Sequence, residues 1–374
     1  MSTVRVLWTV RGLDLGGTEN LLLTTARKLD PEAVRLTIAY TDRGADALRN
    51  DLESVAEVRC LSQSRTAGPG SIVRLKRLMA DCDFDVVHSH APVTAVAARL
   101  ASRGQRKRPA LVVTHHGAWL SYHRLSRAAD LVTAPLDSAS LAVSNAVRGS
   151  LPAPIRRRTD VLVHGIDLDR TQALRCRRAE LRRALGAPDG TPVVVSVANL
   201  HPLKDHDTLL RAVSILRDRI PDVLVLLVGE GPRRPDLEGL TAGLGLTGHV
   251  RLLGRRNDAL ELVAAADLFA LSSHSEGLPV AAMEALALGV PVVASDVGGV
   301  REAVEDGVSG VLVPPRSPLR FADGMWRILR DPDVRRQMGD AAVVRGSTFD
   351  AAETARRLTS LYAALADRKE KWSV

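Results

Sequence analysis

Short apolar runs rich in valine and leucine recur down the chain, each followed by a polar or glycine turn and then an amphipathic stretch. Val4–Val10, Val34–Tyr40, Val58–Leu61, Asp85–His90 and Ala110–Gly117 are such runs in the first half. Pro192–Leu200, Val223–Gly229, Leu268–Leu271 and Gly289–Ser295 continue the pattern in the second. A brief apolar run bounded by turn residues reads as a strand buried on both faces, and the longer stretch after it as a helix. Strands separated by helices pair in parallel, so the chain is expected to be α/β with doubly wound parallel sheets. The ligands of such sheets gather beyond the carboxyl ends of the strands, and the residues that close each run become site candidates. At 374 residues the chain is long for one domain and sufficient for two, each with its own core.

Composition removes several classes of function. Aromatic residues make up 3% of the chain, too few for a platform that stacks single-stranded nucleic acid. No apolar run approaches the roughly 18 residues that span a bilayer. The N-terminus enters a strand with no signal-peptide pattern, and Cys60, Cys82 and Cys176 stand apart with neither metal spacing nor a disulfide framework. A cytoplasmic setting is expected. The net charge of +8 is uneven: residues 1–167 hold 23 Lys/Arg against 16 Asp/Glu, and residues 168–374 hold 28 against 27. Arg-rich solvated surface accounts for this, as does attraction of a phosphorylated acceptor or an anionic membrane, with peripheral association at its inner face. No recognition motif for nucleic acid accompanies the charge.

The stretch Ser272–Glu284 carries the chemistry. It follows the run Leu268–Leu271, turns through a Ser/His/Gly loop and enters a helix near Pro279 that runs from Val280 to Leu288 and stops at Gly289. Glu276 falls in the loop and Glu284 inside the helix, on a face shared with Val280 and Leu288. A carboxylate on an apolar face needs hydrogen-bond donors, which ligand hydroxyls, backbone amides or an arginine supply. The first amides of the helix are open to an anion. Capping and pairing alone also account for the two glutamates.

Other candidates are weaker singly. Gly16-Gly17 precedes a helix over 20–29 and allows a phosphate close to the backbone, although the spacing is not that of a dinucleotide fold. His88, His90, His115 and His116 end strands, but no carboxylate or cysteine joins them at metal-ligand spacing. Asp81-Cys82-Asp83-Phe84-Asp85 fits a helix-to-strand turn, and Asp205-His206-Asp207 fits a helix start, better than a cation site. Lys204, between a strand and a helix, is a point charge suited to a diphosphate or simply a surface lysine.

Taken together, Glu276 and Glu284 with seven residues between them, followed by ALALGVPVVASDVGGVREAVEDGVSGVLVPP, resemble the C-terminal half of family 4 of the retaining glycosyltransferases. The resemblance implies the GT-B fold: two Rossmann-like domains facing across a cleft. Residues 1–167 would bind the acceptor and 168–350 the nucleotide sugar, with 351–374 a helix crossing back. It further implies transfer of a sugar from a nucleoside-diphosphate donor, with uridine favoured, to a small-molecule, saccharide or lipid-linked acceptor. Anomeric configuration is kept, with no metal and no cofactor beyond the donor. His116 matches the histidine that faces the donor sugar, with His115 the alternative register. Lys204 and Asn199 match the diphosphate residues, though asparagine stands where arginine is usual and Asp205 where glycine follows the lysine. Gly16 and Gly17 match the glycine loop, and Gly254 with Arg255 the base-reading strand end. Glu276 and Leu278 match the sugar loop, Val280 and Ala281 the anion-facing amides, and Glu284 the ribose carboxylate. His164 departs from the usual asparagine. A sugar-nucleotide epimerase and a non-catalytic basic binding protein are the rival readings.

Overall fold

The apolar runs form parallel strands in two sheets of a computed structural model that describes residues 3–14, 16–42, 44, 46–62, 69–186 and 190–370. The first sheet contains β1 (Val4–Val10), β2 (Val34–Tyr40), β3 (Glu57–Cys60), β4 (Val86–Ser89), β5 (Ala110–His115), β6 (Ala139–Ala142) and β7 (Thr159–Val161). Its order is β3-β2-β1-β4-β5-β6-β7. The second contains β8 (Val193–Val197), β9 (Leu224–Val228), β10 (Val250–Gly254), β11 (Leu268–Leu271), β12 (Val292–Ser295) and β13 (Gly310–Val313), in the order β10-β9-β8-β11-β12-β13. Strand order reverses between β1 and β4 and again between β8 and β11, the switch points beside which open α/β sheets bind ligands.

The first unit comprises Met1–Gly165 and Asp350–Val374. Its core is layered on β1, where Val6 and Trp8 pack with Ile38 and Tyr40 of β2. Leu358 and Tyr362 of the helix Ala351–Glu370 close the same core. Register sets Trp8 of β1 beside His88 of β4. At the chain's return, Gly165 donates to Thr354 Oγ1 at 2.9 Å, and its Cα lies so near the backbone that an added Cβ would sit 2.1 Å from the Asp350 carbonyl carbon.

The second unit, Ile166–Phe349, packs β8, β9 and β11 against the helices His206–Arg217 and Pro318–Leu329. Phe321 and Met325 supply the bulk on one side, and Leu209, Leu210 and Val213 are fully buried with them.

Some elements differ from expectation. In the sequence, Arg170 to Leu185 reads as one basic helix; it is two, Leu168–Cys176 and Arg178–Ala184, joined through Arg177. Arg178 and Arg182 of the second piece both bind Asp267, which also accepts from the Val193 amide, so the break turns these cations onto a buried carboxylate before β11. In the sequence a helix reads near Ala45 to Leu52 and a turn from Gly186 to Thr191; the helix is Arg49–Glu53, and Ala45 lies outside the described residues, as do Leu15 of the glycine loop and 187–189 of the turn. The Asp-rich segment at 81–85 is a turn: the helix Pro69–Cys82 ends, Asp83 takes φ +46°, and β4 follows.

Candidate active site

Because β8 and β11 are neighbours, the loops that leave their carboxyl ends abut. Hydrogen bonds fasten them together: the His274 N–H donates to the Leu203 carbonyl at 2.8 Å and Ser272 Oγ to the Lys204 carbonyl at 3.0 Å. Lys204 closes a short 3-10 turn, Pro202–Lys204, and its Nζ reaches Glu276 Oε1 at 2.7 Å. Ser273 Oγ donates to the same oxygen at 2.6 Å. Glu276 is 8% exposed. Two donors on one oxygen offset its desolvation, and the ammonium keeps two N–H bonds for other partners.

The loop after β12 completes the surround. Gly298, at φ +51°, presses on Glu276 so closely that a Cβ would lie 1.9 Å from the Glu276 carbonyl oxygen. The Gly299 amide donates to that oxygen at 3.1 Å. Only glycine permits both the left-handed backbone and this approach. Thus Gly298-Gly299 fixes the backbone of the loop that carries Glu276.

The helix Val280–Ala287 begins at Pro279 and is followed by Gly289 at φ +76°. Its Val280 amide is not open to an anion as expected, since it donates to the Leu278 carbonyl at 3.0 Å. The turn formed by Leu278 and Pro279 folds that donor inward, and Ala281 follows it in the first helical turn. Burial pushes the Glu284 carboxyl up from 4.5 to about 7, against a smaller downward pull from Arg170. No hydrogen bond reaches its carboxylate among the described residues.

The remaining residues expected in the second unit lie at strand ends. Asn199 is exposed two residues beyond β8, and Gly254, at φ +70°, closes β10 with Arg255 exposed after it. Asp205, in place of the usual glycine, sits at φ +45° and caps the next helix: its carboxylate accepts from the Thr208 amide at 3.4 Å and from Thr208 Oγ1 at 2.6 Å. That position favours glycine, and the aspartate offsets the strain by capping.

In the first unit the histidines divide. His88 is structural: Trp8 Nε1 donates to the Tyr362 hydroxyl at 2.9 Å, and that hydroxyl lies 2.6 Å from His88 Nδ1. His88 Nε2 lies 2.7 Å from Thr114 Oγ1. Since indole only donates, the phenol oxygen accepts from Trp8, which leaves the phenol's own proton available to His88 Nδ1. His116, just past β5, lies 3.2 Å through Nε2 from His90 Nδ1, and its ring centre is 5.4 Å from that of His164. Burial and the neighbouring rings hold His116 well below the ordinary imidazole range. His164 is fully buried, neither ring nitrogen is hydrogen-bonded among the described residues, and burial takes it down to about 4. His115 is equally buried, and burial takes it down to about 4 against an upward pull from Asp130. Gly16 caps the helix Gly17–Lys28 in ordinary extended geometry, and a Cβ there would meet the Glu19 carboxylate at 2.3 Å.

Ser273 escaped the sequence reading, although its spacing three residues before Glu276 is the available signal. Among the described residues no three His, Cys, Asp or Glu side chains converge as metal ligands do. Nor, among the described residues, is any helix long and apolar enough to cross a membrane.

Comparison with known proteins bears on both units. Residues 177–345 match the family model described as glycosyl transferases group 1, and residues 15–170 match that of Glycosyltransferase Family 4. A D-inositol 3-phosphate glycosyltransferase of Nocardia farcinica is 39% identical over 218 residues, 56% of this chain and 48% of that protein. The chain thus spans about half the length of this relative. The enzyme of the same name from Thermobispora bispora is 28% identical across 95% of this chain and 91% of its own length. HepE from Anabaena, solved with UDP-glucose, superposes with a TM-score of 0.83 at 23% identity, covering 96% of this chain and 99% of that one. The paired parallel sheets and these likenesses give the GT-B fold.

Proposed function

The chain belongs to glycosyltransferase family 4, and on that premise we propose that it moves a sugar from a nucleoside-diphosphate donor, UDP-linked, to a hydroxyl of a small-molecule, saccharide or lipid-linked acceptor with retention of anomeric configuration. The observation that carries this reading is the Lys204–Glu276 pair at 2.7 Å, drawn from loops after β8 and β11 at the switch point of the second sheet. A diphosphate needs a cation and a donor sugar needs a fixed carboxylate; this arrangement supplies the two side by side.

In the proposed reaction the bond from the anomeric carbon to the diphosphate oxygen breaks with its electron pair on oxygen. The acceptor oxygen bonds to the same face of that carbon, and its proton passes to the departing phosphate. Lys204 offsets the charge on the leaving group, aided by the Ala281 amide, while Glu276 accepts from the sugar hydroxyls. Glu284 takes the ribose hydroxyls, Gly254 and Arg255 border the base, and Asn199 adds a hydrogen bond without charge. His116, Gly16 and Gly17 are assigned through their match to the family. The reading uses no metal and no further cofactor. HepE binds UDP-glucose, which supports uridine, and the relatives named for D-inositol 3-phosphate make a phosphorylated polyol one acceptor to include in trials.

A thermal-shift panel of UDP-, GDP- and ADP-sugars tests it. A ligand at about a hundred times its Kd stabilises a folded protein by roughly 2.7 kcal/mol, a plain upward shift. Absence of any shift across the panel refutes the reading. Lys204→Ala is expected to weaken UDP binding at least tenfold; Glu276→Ala leaves the cation and UDP binding in place but lowers transfer by about a hundredfold or more. Donor incubated alone yields no epimer, and an epimer would favour the rival enzyme class.

A further inference from the structure

The helix Arg124–Thr133 in the first unit is inside out. Its outward arc reads Arg124, Leu125, Ala128, Leu131 and Val132, with Leu125 76% and Val132 78% exposed. Its inward side carries Asp130, fully buried. The cause is a buried arginine: Arg99 Nη1 binds Asp130 Oδ1 at 2.6 Å and Thr133 Oγ1 at 3.0 Å, while its Nε binds Asp137 Oδ1 at 2.8 Å. These polar ties fix the rotation of the helix, and its leucines face solvent as a result. Leu120, 79% exposed, stands just before it, and Leu136, 41% exposed, just after. The preceding helix, Pro92–Ser102, packs beside it and exposes Val93 and Leu100. Seven of the thirteen large hydrophobic side chains exposed among the described residues fall between 93 and 136.

Charge narrows what covers this face. Residues 86–159 contain eleven Lys/Arg and only two acids, Asp130 and Asp137, both consumed by Arg99. Every exposed charge of the segment is positive, from Arg103 and Arg106 at the end of one helix to Arg124 and the run 156–158. A second copy of the chain would bring like charge against like. Nucleic acid suits the arginines and leaves the leucines and valines against water. An anionic surface with an apolar interior satisfies both.

We propose that the face formed by residues 93–136 docks on a bilayer containing anionic lipid, Leu120, Leu125 and Val132 entering the headgroup boundary and the arginines meeting lipid phosphates. Side chains of this kind seat an amphipathic helix about 5–10 Å deep without spanning. The proposal goes beyond the transfer reading and does not require it.

Co-sedimentation of the full chain with vesicles of neutral phosphatidylcholine, alone or with about 30% phosphatidylglycerol, tests it. Binding is expected to the anionic vesicles at least tenfold above the neutral ones, and to fall steeply with salt. The double variant Leu125→Asp, Val132→Asp is expected to lose at least tenfold in lipid affinity while keeping its melting temperature and UDP binding. Replacing Arg103 and Arg106 by serine costs about fivefold for each charge near the surface. Equal binding to neutral vesicles, no binding to anionic ones at low salt, or undiminished binding by the double aspartate variant overturns it. So does a dimer in gel filtration that the same variant dissociates. Since UDP affinity is read on the same samples, failure here is distinguishable from failure of the transfer reading.

Discussion

Glu284 is a carboxylate whose burial lifts it to about 7, with no protein donor to hold its charge among the described residues. In the free protein the folded state therefore binds more protons than the unfolded one between 4.5 and 7, and this residue lowers stability as pH rises through that window. Ribose hydroxyls that donate to the carboxylate would favour the ionised form. UDP-glucose binding is then expected to release a proton below pH 7 and to tighten by about eightfold from pH 6 to 7.5, following the ionised fraction. Calorimetry in buffers of different ionisation enthalpy reads the release directly, and Glu284→Gln should flatten the trend. A wild-type affinity independent of pH sinks the ribose assignment. Tyr362 makes a second case. It links Trp8 to His88 in a closed hydrogen-bonded chain, so Tyr362→Phe orphans two buried nitrogens and should cost about 1–3 kcal/mol in denaturant unfolding. The sequence flags both glutamates because their types and spacing are local. It is silent on Tyr362, whose partners stand 354 and 274 residues away.

Elements follow the local pattern where burial decides them, and depart from it where a buried charge does. β1, β2 and β11 begin and end where their apolar runs do. The basic pair of helices and the helix Arg124–Thr133 are the departures, and in each a single buried ion-pair centre, Asp267 or Arg99, sets the geometry. No periodicity reveals such a centre, because the partners come from different elements. Removing the cation alone should be severe: Arg99→Met leaves two carboxylates buried without a partner, at about 3–5 kcal/mol. Asp137 is already raised to about 6 by burial despite Arg99. Losing that cation raises it further, so the variant's folded state holds protons that its unfolded state releases. Its deficit should therefore grow as pH rises through 6, and melting curves at pH 5 and pH 8 measure the difference. A deficit equal at both pH values, or one below 1 kcal/mol, would contradict a structural role for the pair.

At the scale of the whole chain, the first unit is built from both ends of the sequence and the second from an uninterrupted middle. Alternating strands and helices make two parallel sheets legible in advance, but the return of the last helix rests on contacts between residues some 200 to 350 apart, which only the family resemblance suggested. Ala355, Leu358, Tyr362 and Leu365 are buried in the core of the first unit, and Thr354 Oγ1 accepts the Gly165 amide. Stopping the chain at Phe349 would uncover that core and, at about 1.5–3 kcal/mol for each large apolar side chain, cost a sum comparable to the stability of a whole domain. Lys204, Glu276 and Glu284 all lie in the second unit, which loses none of its own contacts. Differential scanning calorimetry of the full chain is expected to show a transition that UDP raises. In the chain truncated after Phe349 that UDP-sensitive transition should persist while the heat of the first unit disappears. If truncation instead abolishes UDP binding, the nucleotide site depends on more than Ile166–Phe349 and the assignment of the diphosphate and ribose contacts to Lys204 and Glu284 of that unit fails.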